Sequence, residues 1–384
     1  MNICVISPSY PTQGKHSFPF VENLCNTWAN LGHNVTVITP VRKLNRLLKR
    51  GVPIPYKQNS YQAEVGSVMV YTPEYYTIGN TPIISERFNF WSIRRCIKKT
   101  IEEIDNPIDV VYAHFWRCGL YVFDVAKKHN LPLFVATGES QIKTPEVKHS
   151  YLRDFSNYVK GVICVSTKNK KESLRLGLTQ EEKCIILPNA IDSNYFHLKD
   201  KRELRNKLGF DESSFIVAFV GYFIKRKGPK RVSDAIDMLN NDKIKSIFIG
   251  TSANQEPELP GGNSIVFQGV LPHEKISDYL NCADVFVLPT LHEGCCNAII
   301  EAMSCGLPII SSDREFNYDV LNESNSILVD PEDIQQISKA INCIYLDKEI
   351  RESLSKGALK KAESLDIIGR AKSIVNFIKE KEIK

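Results

Sequence analysis

No apolar run in this 384-residue chain approaches the roughly 20 residues that a bilayer-spanning helix needs, so a spanning helix is not expected. The first ten residues, MNICVISPSY, lack a charged segment followed by a long apolar one and do not read as a signal peptide; a cytoplasmic protein is expected. The eleven cysteines, at 4, 25, 96, 118, 164, 184, 282, 295, 296, 305 and 343, include no CxxC pair. That argues against a zinc ribbon or a disulfide frame and for reduced, mostly buried thiols. The chain has no GxGxxG after its first apolar run and no GxxxxGK[ST], which removes the dinucleotide fingerprint and the P-loop. Short repeats and low-complexity tracts are absent as well.

The charge is present but uneven. Net charge is +5, yet residues 1–100 hold 12 Lys and Arg against 4 Asp and Glu, leaving the remainder slightly acidic. Residues 41–60 carry six basic side chains and no acidic one, and residues 87–100 carry five beside Phe88, Phe90 and Trp91. Basic residues among bulky apolar ones suit an anionic membrane surface, peripheral to its inner face. A solvated helix face with a core-facing stripe is the alternative. Nucleic acid is not expected as a partner, because no recognition motif accompanies the charge.

Apolar runs alternate with amphipathic stretches along the whole chain. Strand patterns at 2–7, 34–40, 109–115, 131–137 and 161–166 predict repeated βαβ units. The pattern pauses over 187–215, a turn-rich and polar stretch, and resumes at 215–221, 245–250, 264–269, 284–289, 308–312 and 326–330. Two Rossmann-like halves follow, expected over 1–190 and 191–365, with a last helix at about 366–384 crossing back to the first.

In such sheets ligands sit at the carboxyl ends of strands, near helix N-termini. Four stretches fall there. YPTQGKHSFPF (10–20) brings Gly14 after the first strand, as a close-approach loop or an ordinary one. GYFIKRKGPKR (221–231) puts Lys225, Arg226, Lys227, Lys230 and Arg231 between a strand end and a helix start. At least one of these cations suits a diphosphate; a solvated basic loop is the alternative. YAHFW (112–116) and ATGES (136–140) offer His114 and Glu139 to an acceptor hydroxyl, unless they are merely hydrogen-bonded.

The fourth stretch, PTLHEGCCNAIIEAMSCG (289–306), holds Glu293 in a loop and Glu301 eight residues on. Gly294 permits close backbone approach, and the helix should begin near Cys296 or Asn297, putting Glu301 about one and a half turns in. The two carboxylates then line one groove at different depths without meeting as an acid–base dyad. Two carboxylates beside adjacent thiols match no usual metal-ligand spacing, so no metal is expected, and Cys295 and Cys296 read as small fillers. Glu301 in the apolar NAIIEAMSC helix would be a costly guest without a role.

Together these residues resemble the GT-B glycosyltransferases of retaining family 4. VICVSTKNKKESLRLGLTQEEKCIILPNAIDSNYF is similar to the family's inter-domain segment, with Asn189 and Asp192 in its turn; FVGYFIKRKG is similar to its diphosphate loop. FQGVLPHEKISDYLNCADVFVLPTLHEGCCNAIIEAMSCGLPIISSD is similar to its donor block, with Glu293 and Glu301 at the two ends of E-x7-E. The resemblance implies a GT-B fold, two Rossmann-like domains with parallel sheets facing a central cleft. It implies a nucleotide-sugar donor held by Gly221, Tyr222, Lys227, Glu293, Gly294, Cys295, Cys296, Asn297 and Glu301. Glu293 would contact the transferred sugar, Glu301 the ribose, and Lys227 the departing diphosphate, with no cofactor or metal. His114 joins Glu293 and Lys227 as a catalytic candidate, and Gly14, His114 and Glu139 fall on the side of a lipid-linked or saccharide acceptor. Two departures stand out. Tyr222 occupies the place of a common arginine, leaving Lys225 or Arg226 to compensate, and GES (138–140) replaces a common HG.

The product expected is part of a cell-envelope polysaccharide or glycolipid. Two other readings stay open: a sugar-nucleotide epimerase of the same fold, and a non-catalytic nucleotide-sugar-binding partner. A donor-hydrolysis assay separates them, since an epimerase releases a 2-epimer and a binder releases nothing.

Overall fold

The computed structural model describes residues 1–11, 18–43, 54–78, 82–145, 147–252 and 256–382. It divides into two units, Met1–Leu187 with Arg370–Lys384, and Pro188–Gly369. Each is an α/β body built on a largely parallel sheet, the fold class that the alternating pattern predicts.

Unit one contains β1 (Asn2–Ile6), β2 (Asn34–Ile38), β3 (Val41–Arg42), β4 (Lys57–Gln62), β5 (Ser67–Tyr71), β6 (Glu74–Tyr75), β7 (Val110–His114), β8 (Leu133–Thr137), β9 (Gly161–Cys164) and β10 (Cys184–Ile186). Eight of these form one sheet in the order β10-β9-β8-β7-β1-β2-β5-β4, while β3 and β6 pair separately. All neighbours in the large sheet run parallel except the edge pair β4–β5. That hairpin is missing from the strand pattern above. KQNSYQ alternates between half-buried and exposed residues on an edge and so lacks the apolar run of a central strand.

The last helix, Ile367–Glu382, belongs to unit one from Arg370 onward. Trp28, fully buried, donates its indole N–H to the carbonyl of Ala371 at 3.2 Å. Phe377 meets Phe134 edge to face at 6.1 Å. Gly161 makes that approach possible: a Cβ there would lie 2.7 Å from the Phe377 ring and 2.8 Å from that of Phe134.

Unit two contains β11 (Phe215–Val220), β12 (Ile244–Ile249), β13 (Ile265–Gly269), β14 (Val285–Leu288), β15 (Ile309–Ser312) and β16 (Ser326–Val329), all parallel, in the order β13-β12-β11-β14-β15-β16. FIVAFV, VFVL and IISS are buried throughout. Each fully buried Val, Leu, Ile or Phe contributes about 1.5–3 kcal/mol relative to exposure. The strand order reverses between β11 and β14, so loops from the carboxyl ends of these two strands share a switch point. Among the described residues no helix is long and apolar enough to cross a membrane.

Candidate active site

Two loops meet at that switch point. The first, Gly221–Gly228, follows β11. Gly221 N–H donates to Ile249 at 3.0 Å and Phe223 N–H to Thr251 at 3.0 Å, tying the loop to the end of β12. Gly250 lets it sit there: its φ is +152°, and a Cβ would fall 1.8 Å from the Gly221 carbonyl oxygen. Gly228, at φ +75°, turns the chain into the helix Pro229–Asp237.

The second loop, Pro289–Cys296, links β14 to the helix Asn297–Ser304. It is zipped to the first at Arg226, whose carbonyl accepts from Leu291 N–H at 2.8 Å and from the Thr290 hydroxyl at 3.2 Å. Arg231 spans both loops, donating to the carbonyls of Lys225 and Pro289 at 2.9 Å each. Asn189 donates to the Cys295 carbonyl at 3.0 Å and to Asn297 Oδ1 at 2.8 Å. Cys296, at the N-cap of the helix Asn297–Ser304, makes no side-chain capping hydrogen bond.

Clamping the backbone decides which of the five cations face inward. Lys225 is exposed, and Lys230 pairs with Asp234 at 2.8 Å on the helix surface. Arg226 and Lys227 converge on one carboxylate: Glu293 Oε1 lies 2.6 Å from Arg226 Nη1, 2.5 Å from Lys227 Nζ and 3.1 Å from the Thr290 hydroxyl. Burial alone would raise the Glu293 carboxyl, but the charges of Lys227 and Arg226 and their hydrogen bonds outweigh it and hold it below the usual carboxylate range. Burial would likewise lower Lys227, but the neighbouring Cys296 sulfur and the Glu293 carboxylate, which also accepts its hydrogen bond, outweigh burial and raise it. Cys296 lies 3.8 Å from Lys227 Nζ, and burial pushes its thiol up, so it stays neutral. Tyr222 is 47% exposed. The cluster thus carries two cations and one anion beside a helix N-terminus, a surplus of positive charge suited to an anionic ligand.

Glu301 is separate. It is the fifth residue of its helix, just over one turn in rather than one and a half, and its Oε1 lies 3.1 Å from His273 Nε2. The two glutamates have different partners and form no dyad. Among the described residues no cluster of three or more His, Cys, Asp or Glu is arranged to hold a metal.

In unit one, His114 ends β7 with its ring against Phe115 at 4.4 Å and Phe20 at 5.4 Å. Both its ring nitrogens are buried without a hydrogen-bond partner among the described residues. Burial, aided by the charge of Arg370, lowers its pKa to about 3, so the imidazole is neutral at physiological pH. Phe18 (φ +63°) and Phe115 (φ +82°) flank it in backbone conformations that L side chains rarely adopt, a form of strain that concentrates at functional sites. Glu139 is engaged by its neighbours: Oε1 accepts from Trp116 N–H at 2.9 Å, at the start of the helix Trp116–Lys128. Its Oε2 accepts from the Thr137 hydroxyl at 2.7 Å and Gly138 N–H at 2.9 Å. Burial raises its carboxyl against these hydrogen bonds. Gly14 lies outside the described residues. Thr290 and His273 are site residues that motif spacing did not single out; of Lys225 and Arg226, the two candidates to compensate for Tyr222, Arg226 is the one on Glu293.

A two-unit α/β fold with two cations and one carboxylate at a strand switch point suits an anionic ligand. Known proteins resemble the chain as follows. The family model for glycosyltransferase family 4 matches residues 19–195, and that for glycosyl transferases group 1 matches 200–361. TuaC of Bacillus subtilis, whose name assigns it to teichuronic acid biosynthesis as a glycosyltransferase, is 26% identical over 356 residues, covering 89% of this chain and 88% of its own. The UDP-Gal:alpha-D-GlcNAc-diphosphoundecaprenol alpha-1,3-galactosyltransferase of Escherichia coli is 25% identical over 317 residues, covering 77% and 80%. Sucrose-phosphate synthase from Thermosynechococcus elongatus superposes with a TM-score of 0.79 at 18% identity, covering 99% and 98%, a likeness of fold. The chain belongs to glycosyltransferase family 4 and is a GT-B glycosyltransferase.

Proposed function

We propose that this glycosyltransferase moves a sugar from a nucleoside diphosphate sugar onto an acceptor hydroxyl, with retention, in the assembly of a polysaccharide or glycolipid. The observation that carries this reading is the buried Glu293 carboxylate held by Lys227 and Arg226 beside a helix N-terminus whose N-cap side chain makes no capping hydrogen bond. A diphosphate would draw both cations toward itself and free Glu293 for the hydroxyls of the transferred sugar. Arg226 would then supply the charge that Tyr222 does not. As the bond between the anomeric carbon and the phosphate oxygen breaks, negative charge grows on the leaving group, and Lys227 and the helix amides would stabilise it. The acceptor oxygen bonds to the anomeric carbon, and its proton passes to the departing phosphate. The name of the E. coli relative, which includes a UDP-sugar donor and a diphosphoundecaprenol acceptor, supports this choice of substrates. No cofactor or metal is assigned a part.

Glu301 should hold the ribose. Glu301→Ala then weakens nucleoside diphosphate binding by roughly 1–3 kcal/mol, the cost of losing hydrogen bonds to a charged group. Calorimetric titration checks it, and an unchanged affinity would remove Glu301 from the nucleotide site.

A lipid-linked acceptor requires unit one to approach a surface of anionic headgroups. On the helix Pro82–Glu102, Trp91 is 53% exposed and the Arg95 guanidinium lies 5.5 Å over its ring. Arg87, Arg94 and Lys148 line one cavity of about 440 Å³, and Arg95, Lys98 and Lys128 help line another of about 500 Å³. Arg94 is also paired with Asp124. In the stretch 41–60, positions 44–53 lie outside the described residues. Each basic residue near the surface contributes about 1 kcal/mol, and salt weakens the attraction as the Debye length shrinks from about 10 Å at 0.1 M to about 3 Å at 1 M. Vesicle co-sedimentation should show salt-sensitive binding to anionic but not neutral vesicles, reduced by Arg87→Gln, Arg95→Gln and Lys98→Gln together. Equal binding to both kinds of vesicle, or none, would favour a soluble acceptor.

A further inference from the structure

Glu301 is held from outside its own helix. His273, the first residue of the helix His273–Cys282, places Nε2 3.1 Å from Glu301 Oε1, so an Nε2–H donates to that oxygen. Glu301 is 8% exposed, and a carboxylate that deep needs a partner. The His273 side chain is 42% exposed, and its ring also meets the buried Phe196 at 5.1 Å and 62°. One oxygen of Glu301 is therefore committed to His273, and Oε2 is the one left to meet a ligand. The charged groups facing His273 are Glu301, from the packed helix, and Glu274, from its own; Phe196 offers only an apolar edge. The hydrogen bond to Glu301 raises the imidazole's pKa, with burial opposing, so the imidazolium persists to higher pH than for an unpaired histidine.

We propose that His273 is a positioning residue for nucleotide recognition: it fixes Glu301 through Oε1 so that Oε2 points to the ribose hydroxyls, and its positive charge strengthens the hold on an anionic nucleotide. The inference rests on the donor-site reading above. The sign of its pH dependence follows. Below the raised pKa the imidazolium both donates to Glu301 and attracts the diphosphate. As pH rises through that pKa the charge is lost, while the neutral Nε2–H tautomer still donates, so affinity falls in part.

The test is calorimetric titration with UDP, ADP and GDP between pH 6 and 9, on the wild-type chain and on H273A, H273Q, E301A and the H273A/E301A double variant. For the nucleotide that binds, H273A should weaken affinity about tenfold at the low end of the range, the weight of a hydrogen bond to a charged group. It should weaken it less at the high end, and raise donor KM more than it lowers kcat. H273Q, which keeps an N–H donor without the charge, should retain most of the affinity and lose the pH dependence. In the E301A background H273A should add little, because the two act as one unit. H273A binding like wild type at every pH, or costing as much with Glu301 absent as with it present, would overturn the proposal while leaving the donor site standing. Should H273A fail to fold, a pH dependence in H273Q matching wild type is the overturning result. If none of the three nucleotides binds the wild type, the donor-site reading falls and this inference falls with it.

Discussion

Lys227→Ala should lower kcat by about 100- to 1,000-fold, the loss seen when one preorganised group facing developing negative charge is removed. The side chain is only 11% exposed, so its charge acts in a medium where water screens little. In the resting site that charge is shared with Glu293 at 2.5 Å, so the ground state already uses part of it. The full attraction is realised only as the leaving phosphate gains charge. The fall in kcat should therefore be at least as large as the rise in donor KM. Steady-state kinetics against the donor distinguishes the outcomes. A normal kcat with a raised KM would make Lys227 a binding residue only, and full activity would shift the role to Arg226.

Glu293→Ala has the opposite electrostatic logic. It removes the shared partner of two cations and leaves Lys227 buried beside Arg226, whose side chain is 31% exposed. Breaking a buried ion pair from one side costs about 3 kcal/mol or more, because the remaining charge stays desolvated. The variant should melt well below wild type at neutral pH. Because the Glu293 carboxyl is held below its usual range, its contribution is present above the ordinary carboxylate pKa and lost as pH falls through the depressed one. The two proteins should thus converge in stability at acid pH. A nucleoside diphosphate would replace the missing anion, so added UDP, ADP or GDP should raise the Tm of Glu293→Ala more than that of wild type. Transfer should still be lost, since the carboxylate proposed to hold the transferred sugar is gone. Calorimetry at several pH values tests this. Equal melting temperatures at neutral pH, or an equal nucleotide shift in both proteins, would mean that Glu293 does not compete with phosphate for these cations.

Much of the fold could be read from the sequence because central parallel strands are buried on both faces. FIVAFV and VFVL are continuous apolar runs, and each sits in the middle of its sheet. The edge elements gave no such signal: KQNSYQ is polar and antiparallel, and β10 has only three residues, all half-buried. Within the site, the spacing of Glu293 and Glu301 carried the motif, but their partners come from elsewhere in the chain. Lys227 and Arg226 are 66 and 67 residues from Glu293, and His273 is 28 from Glu301. Choosing Arg226 over Lys225 depends on a backbone clamp made by Thr290 and Leu291, which no local pattern encodes. Nor does the composition of YAHFW announce that Phe115 takes a positive φ beside a buried His114 that has no hydrogen-bond partner among the described residues.

Donor turnover by the purified chain tests the central claim most directly. The protein would be incubated with a panel of UDP-, GDP- and ADP-sugars, and the products read by mass spectrometry. At least one donor should release its nucleoside diphosphate, an added acceptor should accelerate the release, and Lys227→Ala should suppress it. Release of a 2-epimer would point to the epimerase, and binding without release to a non-catalytic partner. A wild-type chain that neither binds nor consumes any nucleotide sugar would rule out nucleotide-sugar transfer.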